Sequence, residues 1–503
     1  MIEMKGLVLR GSVLRSLLLL TNIGVAFYIM PFLIHSLGNR WYGMWTLVAT
    51  FMGYYGYLDF GLSVSIQRFL AGAIGRRDDE EVSRLFTTSL WLFLALGAIA
   101  FLITVVLAAF GPVFFKDPVE ISTFRSVILV LGINVAFTFA MTPVNGLMTG
   151  HLRFDVASTI QLGKLAFRTA LVVYFISAGY SIVALAVITL FADVGANLLK
   201  IIYVRRIFPA VSVARRFYAK QRLPELFGYG AKTFVNQIAD LLRFQLDSLV
   251  IATFINLSAV TIFNIAGQLV FYFRDLIVAL MGLLAPVFAR YQAADDHAAS
   301  QKAYYFTSKL AAIVGILIGG AVIVFGRQFI RLWMGDDYIA AYELTVILIV
   351  PTILYVSQTP AVGLIYGYGA VGPLARVSII EAVANLVLSV ILVRHYGLIG
   401  VALGTAIPLT FFSVFLLVLA SRLAAGTILL YLRYVGPVFL LGGLLQVASW
   451  FVVQHVDIAG YFDMMLLFLA IYPAQLVIIG LLLFSSHELR LIKETSLRAL
   501  GVG

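Results

Sequence analysis

Long apolar runs alternate with short polar loops along the whole chain. A run of about 20 apolar residues forms a helix that is long enough to cross the hydrocarbon core of a bilayer. The pattern contains about fourteen such runs, which predicts an all-α polytopic membrane protein. The predicted spans are residues 15–37, 43–70, 87–110, 123–150, 155–177, 179–204, 228–254, 258–288, 304–326, 339–367, 374–394, 397–421, 432–454 and 462–484.

A nine-residue motif occurs twice within this apolar pattern. Residues 142–150 read TPVNGLMTG and residues 359–367 read TPAVGLIYG, so five of nine positions agree at an offset of 217. Similar segments in the same order and at nearly the same offset indicate an internal duplication. Three further pairs meet that condition: 78–79 with 295–296, 110–111 with 325–326, and 179–185 with 397–403.

The repeated motif also predicts the local helix geometry. Pro143 and Pro360 lack a backbone N–H, so we expect each to kink its helix and to free a carbonyl group near Phe139 and Val356. Glycines four residues apart form a smooth strip on which another helix can pack closely in lipid. The two copies of the motif supply one such pair each, Gly146 with Gly150 and Gly363 with Gly367.

The duplication predicts the domain organisation. Each repeat holds six spans, and because six is even, both repeats enter the membrane from the same side. They are therefore parallel copies related by a pseudo-two-fold axis along the membrane normal, followed by two extra helices. The predicted domains are an N-terminal six-helix lobe (1–204), a basic cytoplasmic linker (205–227), a C-terminal six-helix lobe (228–422), and two additional helices with a cytoplasmic tail (423–503).

Composition agrees with a membrane protein and excludes several other classes. The chain is 62% hydrophobic and 12% charged, whereas soluble domains carry about 25% charged residues. Its net charge of +11 lies in short loops between apolar runs, which indicates membrane orientation and not nucleic-acid binding. The chain has no cysteine, so disulfides, thiolate metal sites and cysteine nucleophiles are excluded.

The basic residues predict that both termini are cytoplasmic. With that orientation, 24 of the 35 basic residues lie on the cytoplasmic side, including Lys200 next to the linker, and six lie outside. The first apolar run, 17–37, is followed by Arg40-Trp41-Tyr42 and not by a small-residue cleavage site, so we expect a retained helix. The linker 205–222 is either an amphipathic segment on the anionic inner leaflet or a solvated tether.

Charged side chains within the spans are the candidate functional residues. Each costs roughly 2.5–3.5 kcal/mol at the bilayer centre, so they should face one another or an aqueous cavity. The basic members are Lys164, Arg168, Lys232, Arg243 and Arg274, and the acidic members are Asp59, Asp193, Asp240, Asp247, Asp275 and Glu381.

The seventh span holds the densest cluster of these charges. Spacings of three and four residues place Asp240, Arg243 and Asp247 along one helix face, with Lys232 two turns earlier. That face either lines a pathway in which Arg243 binds an anionic headgroup, or it forms an ion pair that neutralises itself.

Two neighbouring pairs differ in their expected role. Arg274 and Asp275 are adjacent, so their side chains are expected to diverge by about 100° along the helix surface. Lys164 and Arg168 lie one turn apart with no acid between them, and such cations repel each other unless an anion is near. They are therefore the first candidates for phosphate contact.

Two carboxylates are candidates for coupling or gating. At the repeat offset Lys164 corresponds to Glu381, which predicts that the two face one central cavity and pair in one conformation of a transport cycle. Asp59 is a lone carboxylate within a span, and it is either a site for a coupling ion or the partner of a nearby basic residue.

Several segments resemble the lipid-linked oligosaccharide flippases, or Wzx-type polysaccharide exporters, of the multidrug/oligosaccharidyl-lipid/polysaccharide (MOP, MATE-like) superfamily. The resemblance covers nearly the whole chain in order. The segments are LG at 37–38 with WYGMW at 41–45, LDFGL at 58–62, QLDSLVI at 245–251, WMGDDY at 333–338, and YGLIGVA at 396–402 with GTA at 404–406. The mixed charges within the spans depart from the mainly cationic cavity of that family.

The resemblance implies a flippase and not an enzyme. It implies transfer of an undecaprenyl-diphosphate-linked oligosaccharide or polysaccharide repeat unit to the outer leaflet of a bacterial or archaeal cytoplasmic membrane, by alternating access of two lobes. Such transfer serves the biosynthesis of surface polysaccharides such as lipopolysaccharide O-antigen. The partners are the lipid-linked glycan, membrane lipids and other polysaccharide-assembly membrane proteins, with no nucleic acid.

The charges and the resemblance together give the expected site. Substrate contacts are expected at Lys164, Arg168, Lys232, Arg243 and Arg274, and coupling or gating is expected at Asp59, Asp240, Asp247, Asp275 and Glu381. We expect no catalytic residue, metal or cofactor, and coupling to H⁺ or Na⁺ is left open.

The sequence leaves three other functions to compare with a flippase. A cation-coupled multidrug antiporter of the same superfamily would need a net acidic cavity and usually lacks the last two spans. A glycan polymerase or ligase would need a large outer loop with acid and base groups, but the outer loops here are short. A structural scaffold is disfavoured by the charges within the spans.

Overall fold

The computed structural model describes residues 2–209, 211–228, 230, 234, 246–281, 288, 291, 292, 294–485 and 488. Within these residues the chain is helical and contains no β-strand. The helices are α1 (Ile2–Leu37), α2 (Asn39–Tyr55), α3 (Leu62–Gly75), α4 (Asp79–Ala109), α5 (Gly111–Phe114), α6 (Pro118–Ala140), α7 (Thr142–Gly150), α8 (Phe154–Ser177), α9 (Ile182–Ile207), α10 (Asp247–Phe254), α11 (Leu257–Met281), α12 (His297–Met334), α13 (Ala340–Ser357), α14 (Thr359–Gly367), α15 (Val371–Leu423), α16 (Ile428–Gln454) and α17 (Tyr461–Leu483).

The predicted fold class, an all-α multi-pass membrane protein, is confirmed. Eleven helical segments among the described residues are long and apolar enough to cross a membrane. Their exposed faces carry large apolar side chains such as Leu102, Leu440 and Leu481, which is the reverse of a soluble surface. The predicted span 228–254 lies mostly outside the described residues, and α10 covers its end.

The chain divides into two compact units, Met1–Thr261 and Ile262–Gly503. In the first unit α6 packs against α4 and α9, and α8 packs against α1 and α9. In the second unit α12 packs against α13 and α16, and α15 packs against α13 and α14. The finer predicted division, with boundaries near 204, 227 and 422, stays a prediction.

The two copies of the repeated motif have the same local structure. A one-residue break separates α6 from α7 and α13 from α14, and Pro143 and Pro360 lie in the first turn of the short helix that follows. Proline suits that position because the first N–H groups of a helix have no helical partner. The carbonyl of Phe139 accepts a backbone N–H, and that of Val356 accepts the hydroxyl of Thr359 at 2.8 Å.

The glycines of the first copy of the motif lie against α3. A β-carbon added at Gly146 would lie 2.9 Å from Leu70 Cδ1, and one added at Gly150 would lie 2.7 Å from Ile74 Cδ1. The absent side chains therefore allow α7 and α3 to pack closely. The matching glycines of α14, Gly363 and Gly367, are half-buried.

The predicted span 43–70 is not one continuous helix, because a turn at Gly56–Gly61 separates α2 from α3. Phe60 and Gly61 adopt left-handed backbone conformations, with φ of 49° and 72°. The carboxylate of Asp59 accepts the N–H of Gly61 at 2.7 Å and that of Ser63 at 3.4 Å. Asp59 therefore satisfies free N–H groups at the start of α3, a structural role that differs from both roles predicted for it.

Two glycines of the matching segments 179–185 and 397–403 make similar turns. Gly179 has φ of 85° between α8 and α9, and Gly397 has φ of 57° within α15. Because such values are unfavourable for residues with a β-carbon, both positions favour glycine. Gly397 bends α15 back on itself at the predicted boundary between two spans, and the hydroxyl of Ser389 donates to the carbonyl of Val401 at 3.4 Å.

The basic linker packs against the first unit and is therefore not a free tether, and its predicted position on the inner leaflet stays a prediction. It forms two short 3₁₀ turns that dock on the N-terminal end of α4. The N–H of Ala219 donates to the hydroxyl of Thr88 at 2.9 Å, and Arg222 pairs with Glu81 at 2.6 Å. The linker adopts this form because threonine, serine and acidic side chains of α4 satisfy its backbone and one of its cations.

The two additional helices are held by buried polar contacts. Gln446 of α16 donates to Gln475 of α17 at 2.9 Å and accepts from Tyr472 at 2.8 Å. Beyond the end of α17, Glu488 accepts hydrogen bonds from Lys309 of α12 at 3.1 and 3.2 Å. Buried polar pairs of this kind fix one arrangement of neighbouring helices in lipid.

Candidate functional site

The charged interior of the first unit is organised around Asp193 of α9. Its Oδ1 atom accepts a hydrogen bond from the ammonium of Lys164 on α8 at 2.8 Å. Its Oδ2 atom accepts from the side-chain amide of Asn134 on α6, also at 2.8 Å. The Lys164 and Asp193 side chains are 25% and 21% exposed, so both are mostly shielded from solvent. One carboxylate therefore joins three membrane helices.

Two further cations lie near this pair. The guanidinium Nε of Arg168 donates to the hydroxyl of Thr189 at 3.2 Å, and Arg168 lies within electrostatic reach of Asp193. Lys200, which is 6% exposed, donates to the side-chain oxygen of Asn145 at 2.9 Å and lies within reach of Lys164 and Asp193. We name the whole group the Asp193 cluster: Asn134, Asn145, Lys164, Arg168, Thr189, Asp193 and Lys200.

The Asp193 cluster has an excess of positive charge. It contains three cations and one carboxylate, and Arg168 forms no ion pair within the described part of the chain. Unneutralised charge within a membrane span is costly, and an anion placed near the cations lowers that cost. The cluster can therefore hold an anionic group such as a phosphate.

A cavity of about 360 Å³ borders the cluster inside the first unit. Asn134 and Asp193 line it together with Asp59 from the turn before α3. Phe93 and Phe139 supply apolar wall, and their rings stack with centroids 5.9 Å apart. The cavity thus combines apolar surface with a few polar groups, which is typical of sites for small ligands.

The remaining predicted site residues are dispersed or not described. Lys232, Asp240 and Arg243 lie outside the described residues. Asp247 lies in the first turn of α10, where a carboxylate interacts favourably with the helix dipole. Glu381 lies buried on α15, and its predicted pairing with Lys164 stays a prediction.

The expected divergence of Arg274 and Asp275 is wrong. The Nη2 and Nε atoms of Arg274 donate to Oδ1 of Asp275 at 3.0 and 3.2 Å. The arginine side chain is long enough to fold along the helix surface, so adjacency does not prevent the pair. The guanidinium also lies 5.0 Å from the centre of the Phe271 ring.

Sequence reasoning missed four members of the Asp193 cluster: Asn134, Asn145, Thr189 and Lys200. Lys200 was grouped with the cytoplasmic cations of the linker, but the structure buries it within α9. Its spacing of seven residues from Asp193 places both on one helix face, and that signal was available. Asn134, Asn145 and Thr189 carry no charge, so nothing distinguished them from the other polar residues within spans.

Comparisons with known proteins agree with this architecture. A sequence model described as polysaccharide biosynthesis protein matches residues 37–343, which is more than half of the chain. The chain belongs to the polysaccharide biosynthesis protein family. The predicted resemblance to polysaccharide exporters is thereby confirmed at the level of this family.

Two relatives are similar in sequence to this polysaccharide biosynthesis protein. The uncharacterized membrane protein EpsK of Bacillus subtilis (strain 168) is 24% identical over 403 residues, which cover 78% of each chain. A putative O-antigen transporter of Shigella flexneri is 23% identical over 389 residues, which cover 75% of this chain and 89% of the relative.

Two solved structures share the fold of this polysaccharide biosynthesis protein. An inward-facing multidrug resistance MATE family transporter of the MOP superfamily gives a TM-score of 0.70 at 18% identity, covering 80% of this chain and 95% of the other. The lipid II flippase MurJ, in an inward closed conformation, gives 0.72 at 14% identity, covering 93% and 99%.

Proposed function

We propose that this protein flips an undecaprenyl-diphosphate-linked oligosaccharide or polysaccharide repeat unit from the inner to the outer leaflet of a bacterial cytoplasmic membrane. The observation that carries the proposal is the positive excess of the Asp193 cluster in a member of the polysaccharide biosynthesis family. The names of an O-antigen transporter among its relatives and of a lipid II flippase among its structural neighbours support it. In this account the protein is not an enzyme.

The chemistry of the cargo explains why such a protein needs buried cations. A sugar diphosphate headgroup cannot cross hydrocarbon unaided, because its charges and hydroxyl groups would lose their hydration. Lys164, Arg168 and Lys200 replace part of that hydration for the phosphates, while the prenyl chain stays in lipid. Alternating access of the two repeats then exposes the headgroup to each side in turn.

Two finer features belong to the same proposal. Both termini lie in the cytoplasm, as the distribution of basic residues in the loops favours. Transport is coupled to H⁺ or Na⁺, and Glu381, which is not part of the Asp193 cluster, is a carboxylate within a span that can carry the ion. Other membrane proteins of polysaccharide assembly supply the lipid-linked cargo.

A second candidate is a cation-coupled multidrug antiporter, which the fold shared with a MATE transporter favours. The positive excess of the Asp193 cluster opposes it, because such a cluster repels cationic drugs. Measurement of cationic-drug efflux in cells that produce this protein distinguishes the two, and we expect no efflux.

Genetic complementation tests the flippase proposal. Strains that lack their own flippase and make different surface glycans would receive this gene and be scored for lipid-linked intermediate trapped on the inner leaflet. We expect trapped intermediate to fall in at least one strain. A Lys164→Ala/Arg168→Ala variant should leave the intermediate trapped, whereas retained function in that variant would remove the cluster from the mechanism.

A further inference from the structure

The cavity beside the Asp193 cluster is large enough for more than an ion. Its volume of about 360 Å³ equals that of about 12 water molecules, at about 30 Å³ for each. This volume lies at the lower end of the range of pockets that bind small organic ligands, about 300–1,000 Å³.

Three side chains around the cavity offer hydrogen-bond acceptors, beside the hydroxyl groups of Tyr55, Thr138 and Thr142. Asp59 and Asp193 contribute carboxylates, and Asn134 contributes an amide. The Oδ1 atom of Asn134 is buried and accepts no hydrogen bond within the described part of the chain, and the residue is only 8% exposed. Buried polar atoms normally have a partner, so a ligand of this cavity should supply a donor.

A sugar hydroxyl group is a better partner for the Asn134 Oδ1 atom than a metal ion is. The ammonium of Lys164 already contacts Oδ1 of Asp193 at 2.8 Å, and Arg168 and Lys200 add further positive charge nearby. This field opposes a metal cation but not a neutral hydroxyl group. The stacked rings of Phe93 and Phe139 offer apolar surface to the C–H face of a sugar ring.

We propose that this cavity is the sugar-recognition subsite of the flippase. Asn134 Oδ1 and the Asp59 carboxylate accept hydrogen bonds from hydroxyls of the sugar next to the diphosphate, while Lys164 and Arg168 hold the phosphates. The inference rests on the proposed function, and it assigns specificity to Asn134. A site built to hydrogen-bond a hydroxyl group discriminates against a substrate that lacks it.

The absence of cysteine from the chain allows a direct binding test. Thr138 lines the cavity and is exposed, so Thr138→Cys places a single thiol there. The measured quantity is the rate at which this thiol reacts with a maleimide in nanodiscs. Undecaprenyl-diphosphate-linked N-acetylglucosamine and undecaprenyl diphosphate without sugar serve as the two probes. We expect the sugar-bearing probe alone to slow labelling, by about tenfold at saturation.

Two variants in the Thr138→Cys background separate recognition from general damage. Asn134→Leu removes the acceptor and should abolish the protection. Asn197→Leu is the matched control, because Asn197 is equally buried but donates to the carbonyl of Asp193 in its own helix at 2.9 Å. This control should keep the protection, and loss of protection in both variants would overturn the assignment to Asn134.

The outcomes for this subsite and for the flippase proposal are distinguishable. If proteoliposomes translocate the sugar-bearing probe but the probe does not protect the thiol, the sugar subsite is wrong and the flippase stands. If the probe protects the thiol in an Asn134-dependent manner without translocation, the sugar subsite stands and the flippase is wrong. Protection by Na⁺ in the absence of either probe would identify a cation site and overturn the inference.

Discussion

The ammonium of Lys164 lies 2.8 Å from Oδ1 of Asp193, although the two residues belong to different helices. Asn134 holds the second carboxylate oxygen at the same distance. Because this carboxylate neutralises one of three nearby cations, it stabilises the first unit and leaves positive charge for an anionic headgroup. Fold and proposed function therefore depend on the same residue.

Removal of the Asp193 carboxylate should destabilise the protein. We expect Asp193→Ala to lower the free energy of unfolding by about 2 kcal/mol, which is less than for a fully buried pair because both side chains are partly exposed. Thermal unfolding in detergent measures the effect. Asp457→Ala, at an exposed loop position, is the control and should change stability little. Equal stability of the two variants would contradict the structural role of Asp193.

The turn at Asp59 predicts a graded effect of substitution. Asp59→Ala removes the acceptor for two backbone N–H groups at the start of α3 and should cost about 1 kcal/mol of stability. Asp59→Asn keeps an acceptor and should lie within a few tenths of a kcal/mol of wild type. The unfolding midpoints of the three proteins give the comparison. An asparagine variant as unstable as the alanine variant would argue against capping.

The contact between Lys309 and Glu488 predicts a dependence of stability on pH. Burial alone would raise the pKa of the Glu488 carboxyl, but hydrogen bonds from Tyr434, the Ser485 N–H and Lys309 outweigh it and lower that pKa. The carboxylate therefore stabilises the folded state above its unfolded pKa of about 4.3, and this stabilisation is lost as the pH falls through the folded pKa.

Glu488→Gln tests this dependence on pH. At pH 7 the variant should be less stable than wild type by about 1–3 kcal/mol. The difference should shrink once acid protonates Glu488 in the wild type. Unfolding midpoints measured from neutral pH down to below the folded pKa show whether the curves converge, and a constant difference across this range would refute the assignment.

The bend in α15 predicts a cost at Gly397. Its φ of 57° and ψ of −131° are unfavourable for any residue with a β-carbon, so Gly397→Ala should lower stability by about 1–2 kcal/mol. Gly436 is the matched control, since it lies inside α16 with no atom near the added methyl group. Gly436→Ala should stabilise the protein by about 0.5–1 kcal/mol. Destabilisation by the control alone would reverse the argument.

Local chemistry made part of this structure predictable from the sequence. Pro143 and Pro360 interrupt their helices because proline lacks an N–H, whatever surrounds it. The predicted spans 179–204 and 397–421 each begin at a glycine, and the left-handed backbone of Gly179 and Gly397 at these boundaries is one that glycine adopts without strain.

Contacts between helices were not predictable in the same way. The partner of Lys164 lies 29 residues away and is reached only because α8 packs against α9. The turn that Asp59 caps depends on a left-handed backbone at Phe60, which is rare for that residue type. The turn was therefore not predicted, and Asp59 was interpreted as a functional charge within a continuous span. Lys200 was placed in solvent because a basic residue near a helix end usually lies there.

The most direct test of the central claim is translocation by the purified protein. Proteoliposomes would carry undecaprenyl-diphosphate-linked N-acetylglucosamine in both leaflets, and an impermeant galactosyltransferase outside would count the molecules that reach the outer leaflet. The account predicts nearly complete labelling with wild type, and labelling of only the initial outer fraction with Lys164→Ala/Arg168→Ala. If labelling with wild type never exceeds that of liposomes that contain the probe but no protein, the flippase account is contradicted.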